Sequence, residues 1–224
     1  MTWCLVGSEM CIRDSFMATH PPKVAEQLLR YRFNQLGKAI ENAEKLGFKD
    51  GAALYPMVTM NGEECHNEWE ITFEEIHRNG AMVLALRNFE QYTGDDRYLR
   101  SEGVAVAVAV ARFWAQRVHW SDHRKAYVML GVTGPNEYEN NVNNNWYTNF
   151  LAAWCLRYAA ELVERFGAKV EASECAQWVQ IADGMCLPQQ EGTYIRLQQD
   201  GFLDKDLQPA SALPEQERPI NQVW

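Results

Sequence analysis

The stretch Gly131-Val-Thr-Gly-Pro-Asn-Glu137-Tyr-Glu139-Asn-Asn-Val-Asn-Asn-Asn145-Trp-Tyr-Thr-Asn149 organises this chain. Its two glycines and its proline exclude regular structure at the start, and carboxylates and amides follow. From Asn145 onward apolar residues recur at helical spacing, so Asn145 is predicted to cap a helix over 146–166. Two interpretations remain open here. The stretch is either a connecting turn or a loop that binds a polyhydroxylated ligand and supplies one glutamate as an acid.

Helical periodicity appears on both sides of this stretch. Further helices are predicted at 22–46, 73–92, 96–119 and 173–185. Short turns at 93–95 and 167–172 alternate with long polar loops at 47–72 and 120–145, and strand-like runs occur at 125–130 and 193–197. This succession predicts an all-α chain in which long, functional loops lie on one face.

Composition excludes several classes of function. A net charge of -9 offers no basic patch for nucleic acid. No apolar run is long enough for a membrane span, and no secretory signal is visible. None of the six cysteines forms a CxxC pair, so we expect reduced thiols, no metal site and a cytoplasmic location.

The first 15 residues do not fit the pattern of the rest. The run from Leu5 to Ser15 resembles a translated sequencing adapter, and it shows neither helical nor alternating periodicity. We predict that 1–15 is non-native or disordered, and that 16–224 forms the folded domain.

The central motif resembles a known family. Gly134-Pro-Asn-Glu137-Tyr-Glu139 is similar to the catalytic loop of the disaccharide phosphorylases of glycoside hydrolase family 65, most of which read Gly-Pro-Asp-Glu-Tyr-His. The Asn-Glu-Tyr-Glu form resembles the maltose-acting members. The segments 51–77, 199–206 and 218–222 extend the likeness, in the expected order, over 16–224.

The resemblance implies a fold and a reaction. It implies that 16–224 is an incomplete (α/α)6 barrel, and that the activity is inverting phosphorolysis of maltose to β-D-glucose 1-phosphate and glucose. Glu137 is then the general acid and phosphate the nucleophile. Because phosphate is already anionic, no second carboxylate is needed to activate it, whereas an inverting hydrolase uses one to activate water. Glu139 is therefore either a hydrogen-bonding member of the loop or a second catalytic carboxylate.

The resemblance also implies a sugar-binding set. Residues 66–74 resemble the acceptor-side loop of the family, the alternative being a purely structural loop. The predicted substrate-binding residues are His66, Glu68, Trp69, Glu70, Asn136 and Tyr138. Several residues have two interpretations each, as sugar-contacting or catalytic groups or as structural ones: Glu63, Glu64, His77 and Trp146. We expect His77 to be a packed core histidine.

Partners and completeness follow from the same resemblance. We expect maltose or a related disaccharide and phosphate as ligands, no cofactor besides phosphate as co-substrate, and a homodimer for the full-length family. The family's Trp-Asp pair, Lys-Gln pair and phosphate loop have no match here, so we expect a fragment truncated at both ends, inactive and poorly stable alone. The alternatives are a sibling phosphorylase acting on trehalose, kojibiose or nigerose, a hydrolase, or a sugar-binding module on the same scaffold.

Overall fold

Helices joined by alternating short and long connections make up most of the protein. A computed structural model describes residues 21–65, 70–137, 139–205, 212 and 214, so the prediction for 1–15 lies outside the described residues. The helices are α1 (Pro22–Asn34), α2 (Leu36–Lys45), α3 (Ile71–Glu74), α4 (His77–Thr93), α5 (Val104–Arg117), α6 (Trp146–Phe166) and α7 (Ala172–Asp183). Two short antiparallel strands, β1 (His119–Ser121) and β2 (Ala126–Val128), pair within the long connection before α6.

The predicted helix over 22–46 is broken into α1 and α2. The break falls at Gln35, whose backbone N–H donates to the Arg32 carbonyl rather than one residue further back. The Tyr55 hydroxyl also donates to that carbonyl, at 3.1 Å. Because the Arg32 carbonyl serves a residue from the following loop, the regular ladder is interrupted there.

The predicted helix over 73–92 is likewise two helices, α3 and α4. The Glu74 carbonyl accepts hydrogen bonds from Ile76 N, at 2.9 Å, and from Thr133 N, at 3.1 Å. A carbonyl that faces the loop before α6 cannot continue the ladder of its own helix. The interruption was invisible in the sequence because its cause lies about 60 residues away.

Alternating valines and alanines in the predicted 96–119 segment form helix, as expected. The segment contains a single π-helical stretch, Leu99–Gly103, which leads into α5. Val104, Val106, Val108 and Val110 are all buried. The helix is covered on most of its circumference, since α2, α4, α6 and α7 all pack against it. A helix buried on several sides needs no polar face, which explains the strand-like alternation. It ends at Arg117, and β1 occupies the residues that follow.

The helix over 146–166 is predicted correctly, with Asn145 accepting from Thr148 N at 3.1 Å as its N-cap. The predicted helix over 173–185 begins and ends slightly earlier, as α7. The strand predicted at 125–130 is present as β2. The strand-like run at 193–197 forms no strand and contributes one isolated bridge, between Gln189 and Arg196.

Long connections gather on one face, as predicted. The opposite ends close tightly: Gly94 after α4 and Gly167 after α6 both have φ of +67°, the left-handed conformation that ends helices. On the long-loop face, Tyr127 N donates to the Gly184 carbonyl and Cys186 N to the Tyr127 carbonyl. The connection before α6 therefore packs on the segment that follows α7. Among the described residues, no helix combines the length and apolar character of a bilayer crossing.

Candidate active site

The loop before α6, residues 131–145, is fixed to α3 by one carboxylate. Glu74 Oε2 accepts from the Thr133 hydroxyl at 2.6 Å and from Asn141 N at 2.9 Å. Val132 and Val142 bridge each other through both backbone groups, which closes the base of the loop. The two hydrogen bonds to the Glu74 carboxylate are charge-assisted, and such bonds are stronger than those between neutral groups. Glu74 thereby joins the predicted acceptor-side segment to the loop that carries Glu137.

Asn144 holds the exit of the loop. Its side chain is fully buried, and its backbone has φ of +50°, a conformation that asparagine tolerates better than most residues. Its Oδ1 accepts from Met129 N at 3.0 Å and from Asn149 Nδ2 at 3.4 Å. Its Nδ2 donates to Asp200 Oδ2 at 2.7 Å. One buried amide thus connects the loop entrance, α6 and a distant segment.

That distant segment, residues 198–205, lies along the loop. Gln198 accepts from Asn136 Nδ2 at 3.2 Å through its side chain and from Trp146 N at 2.8 Å through its carbonyl. Asp200 N donates to the Asn143 carbonyl at 3.0 Å. The side chain of Asp200 also pairs with Arg124 at 2.9 Å. The resemblance includes residues 199–206, but no local signal in the sequence indicates that this segment supports the loop.

Glu137 and Glu139 have opposite surroundings. Glu139 pairs with Lys205 and accepts from Gln199 Nε2 at 3.1 Å. Glu137 is half-buried, and within the described residues its carboxylate takes part in no hydrogen bond or ion pair. Glu139 is therefore a hydrogen-bonding member of the loop, as the first of its two interpretations stated. The loop leaves Glu137 available to a ligand.

The other predicted binding residues are only partly brought together. Asn136 is half-buried next to Glu137 and is held by Gln198. Glu70 is exposed at the start of α3, and no hydrogen bond or ion pair joins it to Asn136 or Glu137 in the described part of the chain. Four of the predicted residues lie outside the described residues: His66, Glu68, Trp69 and Tyr138.

His77 is a packed core residue, as expected. Its Nδ1 lies 3.3 Å from the Thr133 carbonyl, and its ring meets Tyr147 edge to face. Burial lowers the pKa of His77 to about 4, with the nearby Arg78 guanidinium adding to the effect. His77 is therefore neutral near pH 7 and supports the loop from below. It contributes to the site as a neutral, packed side chain rather than as a proton donor.

The remaining candidates all have partners within the protein. Glu64 accepts from Met57 N at 2.6 Å and Val58 N at 3.1 Å, which folds the loop after α2. Glu63 pairs on the surface with Lys38. The Trp146 ring stacks on Phe150, with ring centroids 4.9 Å apart. The described residues contain no group of three or more His, Cys, Asp or Glu side chains that could hold a metal ion.

The architecture defines a class before any particular family. It is all-α, a partial (α/α)6 toroid, with a carboxylate-bearing loop on its long-loop face. A solved structure described as a putative kojibiose phosphorylase from human microbiome superposes with a TM-score of 0.84 and 22% identity. The match covers 97% of this chain and 30% of that one. At this identity the likeness shows the fold.

The sequence comparisons show the family. Residues 9–224 match the profile described as the glycosyl hydrolase family 65 central catalytic domain, and the chain belongs to this family. It is 53% identical to the maltose phosphorylase of Bacillus subtilis (strain 168) over 93% of this chain and 28% of that protein. It is 33% identical to the α,α-trehalose phosphorylase of Geobacillus stearothermophilus over 95% of this chain and 29% of that protein. The chain thus spans less than a third of the length of these relatives.

Proposed function

We propose that this chain carries the general acid, Glu137, of an enzyme that transfers a glucosyl group from maltose to inorganic phosphate. The observation that carries the proposal is the difference between the two loop glutamates. Glu139 is paired with Lys205, whereas Glu137 has no partner among the described residues. Membership of the family and the 53% identity to a maltose phosphorylase support the same reaction.

The reaction needs one acid and one nucleophile. Glu137 gives its proton to the glycosidic oxygen, so the first glucose leaves as a neutral alcohol. A phosphate oxygen attacks the anomeric carbon from the opposite face, which inverts its configuration. The products are β-D-glucose 1-phosphate and glucose, and Glu137 is left as a carboxylate. Phosphate is the only co-substrate in this proposal, and no cofactor takes part.

The surroundings of the other carboxylates support phosphate, rather than water, as nucleophile. An inverting hydrolase needs a second free carboxylate to take a proton from water. In the described part of the loop and of α3, Glu139 is neutralised by Lys205, and Glu74 Oε2 accepts two hydrogen bonds. Neither is free to act as that base. A hydrolase is therefore the less favoured candidate, and the phosphate dependence of turnover decides between the two.

Sugar recognition is assigned to the residues around this acid. Asn136 and Glu70, with His66, Glu68, Trp69 and Tyr138, are proposed to bind the disaccharide, and Glu74, four residues after Glu70, bonds to the loop that carries Asn136. Trehalose, kojibiose and nigerose are the competing substrates. A cytoplasmic location and a homodimeric full-length protein stay predictions from the family resemblance.

The test uses a chimaera in which this chain replaces the matching segment of the B. subtilis relative. Purified chimaera is incubated with maltose, with and without phosphate, and the anomeric form of the sugar phosphate is followed by NMR. We expect β-glucose 1-phosphate only when phosphate is present. Glucose release without phosphate would instead establish the hydrolase, and turnover of trehalose alone would contradict the maltose assignment. The isolated 224-residue chain is assayed in parallel and is expected to give no product.

Replacement of the acid gives the second arm. Glu137→Gln removes the transferable proton while preserving shape, so we expect kcat to fall by roughly 10²- to 10⁴-fold with maltose binding retained. Asn140→Ala, an exposed change in the same loop, is the matched control and should leave turnover near the parent value. Unchanged turnover in Glu137→Gln would remove Glu137 from the mechanism.

A further inference from the structure

Lys205 and Glu139 form an ion pair that joins the 198–205 segment to the loop. Both side chains are largely shielded, with 32% of Lys205 and 24% of Glu139 exposed. Gln199 Nε2 donates to the same carboxylate oxygen at 3.1 Å, so Glu139 is held from two directions. The backbone N–H of Glu139 also donates to the Asn136 carbonyl at 3.1 Å. The position of Glu139 is therefore fixed relative to the residues that flank Glu137.

Glu137 lies two residues before Glu139 in this loop, so the Cα atoms of the two residues are at most about 7 Å apart. An unpaired anion close to a carboxyl group favours its protonated form, and an unpaired cation favours its ionised form. With the pair intact, Lys205 and Glu139 together carry no net charge. Loss of either member would leave a single uncompensated charge beside the proposed acid.

We infer that Lys205 and Glu139 act together as a positioning pair that sets the protonation balance of Glu137 and keeps Glu139 from serving as a second acid or base. This inference rests on the proposed function, because it concerns the same reaction. It adds to that function two residues that act through Glu137. Glu137 is then the single carboxylate of the loop that is free to exchange a proton.

Other charged groups bond to the loop or to the residues that support it, and most of them have partners of their own. Glu74 of α3 is bound by Thr133 and Asn141, Asp200 is paired with Arg124, and His77 is neutral above about pH 5 because burial lowers its pKa to about 4. Among the described residues, the charged or titratable groups that bond to the 131–145 loop, or to residues that support it, are Glu74, His77, Arg117, Arg124, Asp200 and Lys205.

The test is a double-mutant cycle read out by pH profiles. Lys205→Gln, Glu139→Gln and the double variant are made in the maltose phosphorylase chimaera, and kcat/KM is measured against pH. Lys205→Gln leaves Glu139 as an uncompensated anion, so Glu137 keeps its proton longer and the alkaline limb moves up by roughly half to one pH unit. Glu139→Gln leaves Lys205 as an uncompensated cation, so the limb moves down by a similar amount.

The double variant separates charge from structure. Because it removes both charges, its alkaline limb should return close to that of the parent, and the single shifts should shrink at high ionic strength. The ionisation of phosphate is common to all variants and cancels in the comparison. Lys38→Gln, which removes one cation of another surface pair, is the control and should not move the limb.

Each outcome has a distinct meaning. Opposite shifts of the single variants, with restoration in the double variant, support the inference. Equal losses of kcat/KM without a displaced limb would mean that the pair only stabilises the fold, and the inference would be wrong while the proposed function stands. A parent chimaera without phosphorolysis would overturn the proposed function, and this inference with it.

Discussion

The helical layer and the loop at its edge are stabilised in different ways. In the layer, α4 and α6 approach so closely that a side chain at Gly80 would meet Leu151 Cγ at 2.4 Å. In the loop, hydrogen bonds of buried asparagines and of Glu74 replace apolar packing, and the Asn144 side chain alone makes three of them. The stability of the helical layer depends on the volume of its side chains, and the stability of the loop depends on which polar atoms are present.

This difference determines what each region can tolerate. Apolar cores accept exchanges that preserve volume, whereas a buried polar network loses stability when one partner is removed and the others are left unpaired. The network that fixes the loop therefore also makes the loop sensitive to the loss of any one polar group. Four substitutions test whether the two regions behave so differently, in decreasing order of expected effect.

Asn144→Ala should have the largest effect on stability. It leaves Met129 N without its acceptor, removes the donor to Asp200 Oδ2 and places alanine at φ of +50°, so we expect a loss of about 3 kcal/mol. Urea unfolding of the chimaera, monitored by tryptophan fluorescence, measures the change. Asn140→Ala, on the exposed part of the same loop, is the control with little expected change. Equal effects from both variants would show that the loop is not held by Asn144.

Gly80→Ala tests the helical layer. The added methyl group overlaps the buried Leu151 side chain, so we expect a loss of roughly 2 kcal/mol. Leu151→Ala in the same background should recover part of this loss by making room, which a double-mutant cycle would detect. The matched control is Gly37→Ala, where nothing lies within 4 Å, and which should be neutral or slightly stabilising. Because alanine has the higher helix propensity, a destabilising Gly37→Ala would mean that the loss at Gly80 cannot be assigned to the contact with Leu151.

His77 lies in α4 and contacts the loop, and its buried imidazole should make the stability of the protein depend on pH. Burial lowers its pKa to about 4, so as pH falls through about 6.5 the unfolded chain takes up a proton that the folded chain does not. Stability contributed by neutral His77 is therefore complete at higher pH and is lost between about pH 6.5 and pH 4. We expect about 2 kcal/mol of loss between pH 7 and pH 5 from this group.

His77→Gln should remove that part of the slope, since glutamine does not titrate and can still reach the Thr133 carbonyl. Unfolding free energies at both pH values give the slope directly. His123→Gln, at an exposed histidine, should leave the slope as it is. A slope that survives in His77→Gln would place the acid sensitivity elsewhere.

Asn145→Ala should show the smallest of these effects. It removes the side-chain oxygen that accepts from Thr148 N at the start of α6, for a loss of about 1 kcal/mol. Asn145→Ser keeps a capping oxygen and should lie closer to the parent. Thermal unfolding compares the two, and a serine variant as unstable as the alanine one would indicate that the 3.3 Å hydrogen bond to the Gln198 carbonyl matters more than the cap.

Local signals in the sequence predicted the scaffold well. Asn145 as a cap and the helix to Phe166 could be read from neighbouring residues, and so could the glycine-ended turns at Gly94 and Gly167. Helix ends of this kind depend on residues within one turn. The family resemblance then supplied the toroid and singled out Glu137 as the acid, a role that awaits the substitution test.

The contacts that hold the loop in place could not be predicted from local signals. The breaks at Gln35 and after Glu74 arise from carbonyls that bond to residues outside their helices. The partners of Glu139 lie 60 or more residues later in the chain, at Gln199 and Lys205. No periodicity or spacing records such a pairing, because it exists only once the helices between have packed.

That separation has a consequence for how the site comes into being. The loop leaves the ribosome well before the 198–205 segment, and Asn136, Asn144 and Glu139 each depend on that later segment. Loop closure over some 60 residues must therefore precede the final conformation of the loop. The 131–145 loop therefore cannot reach its described conformation until the 198–205 segment has been synthesised.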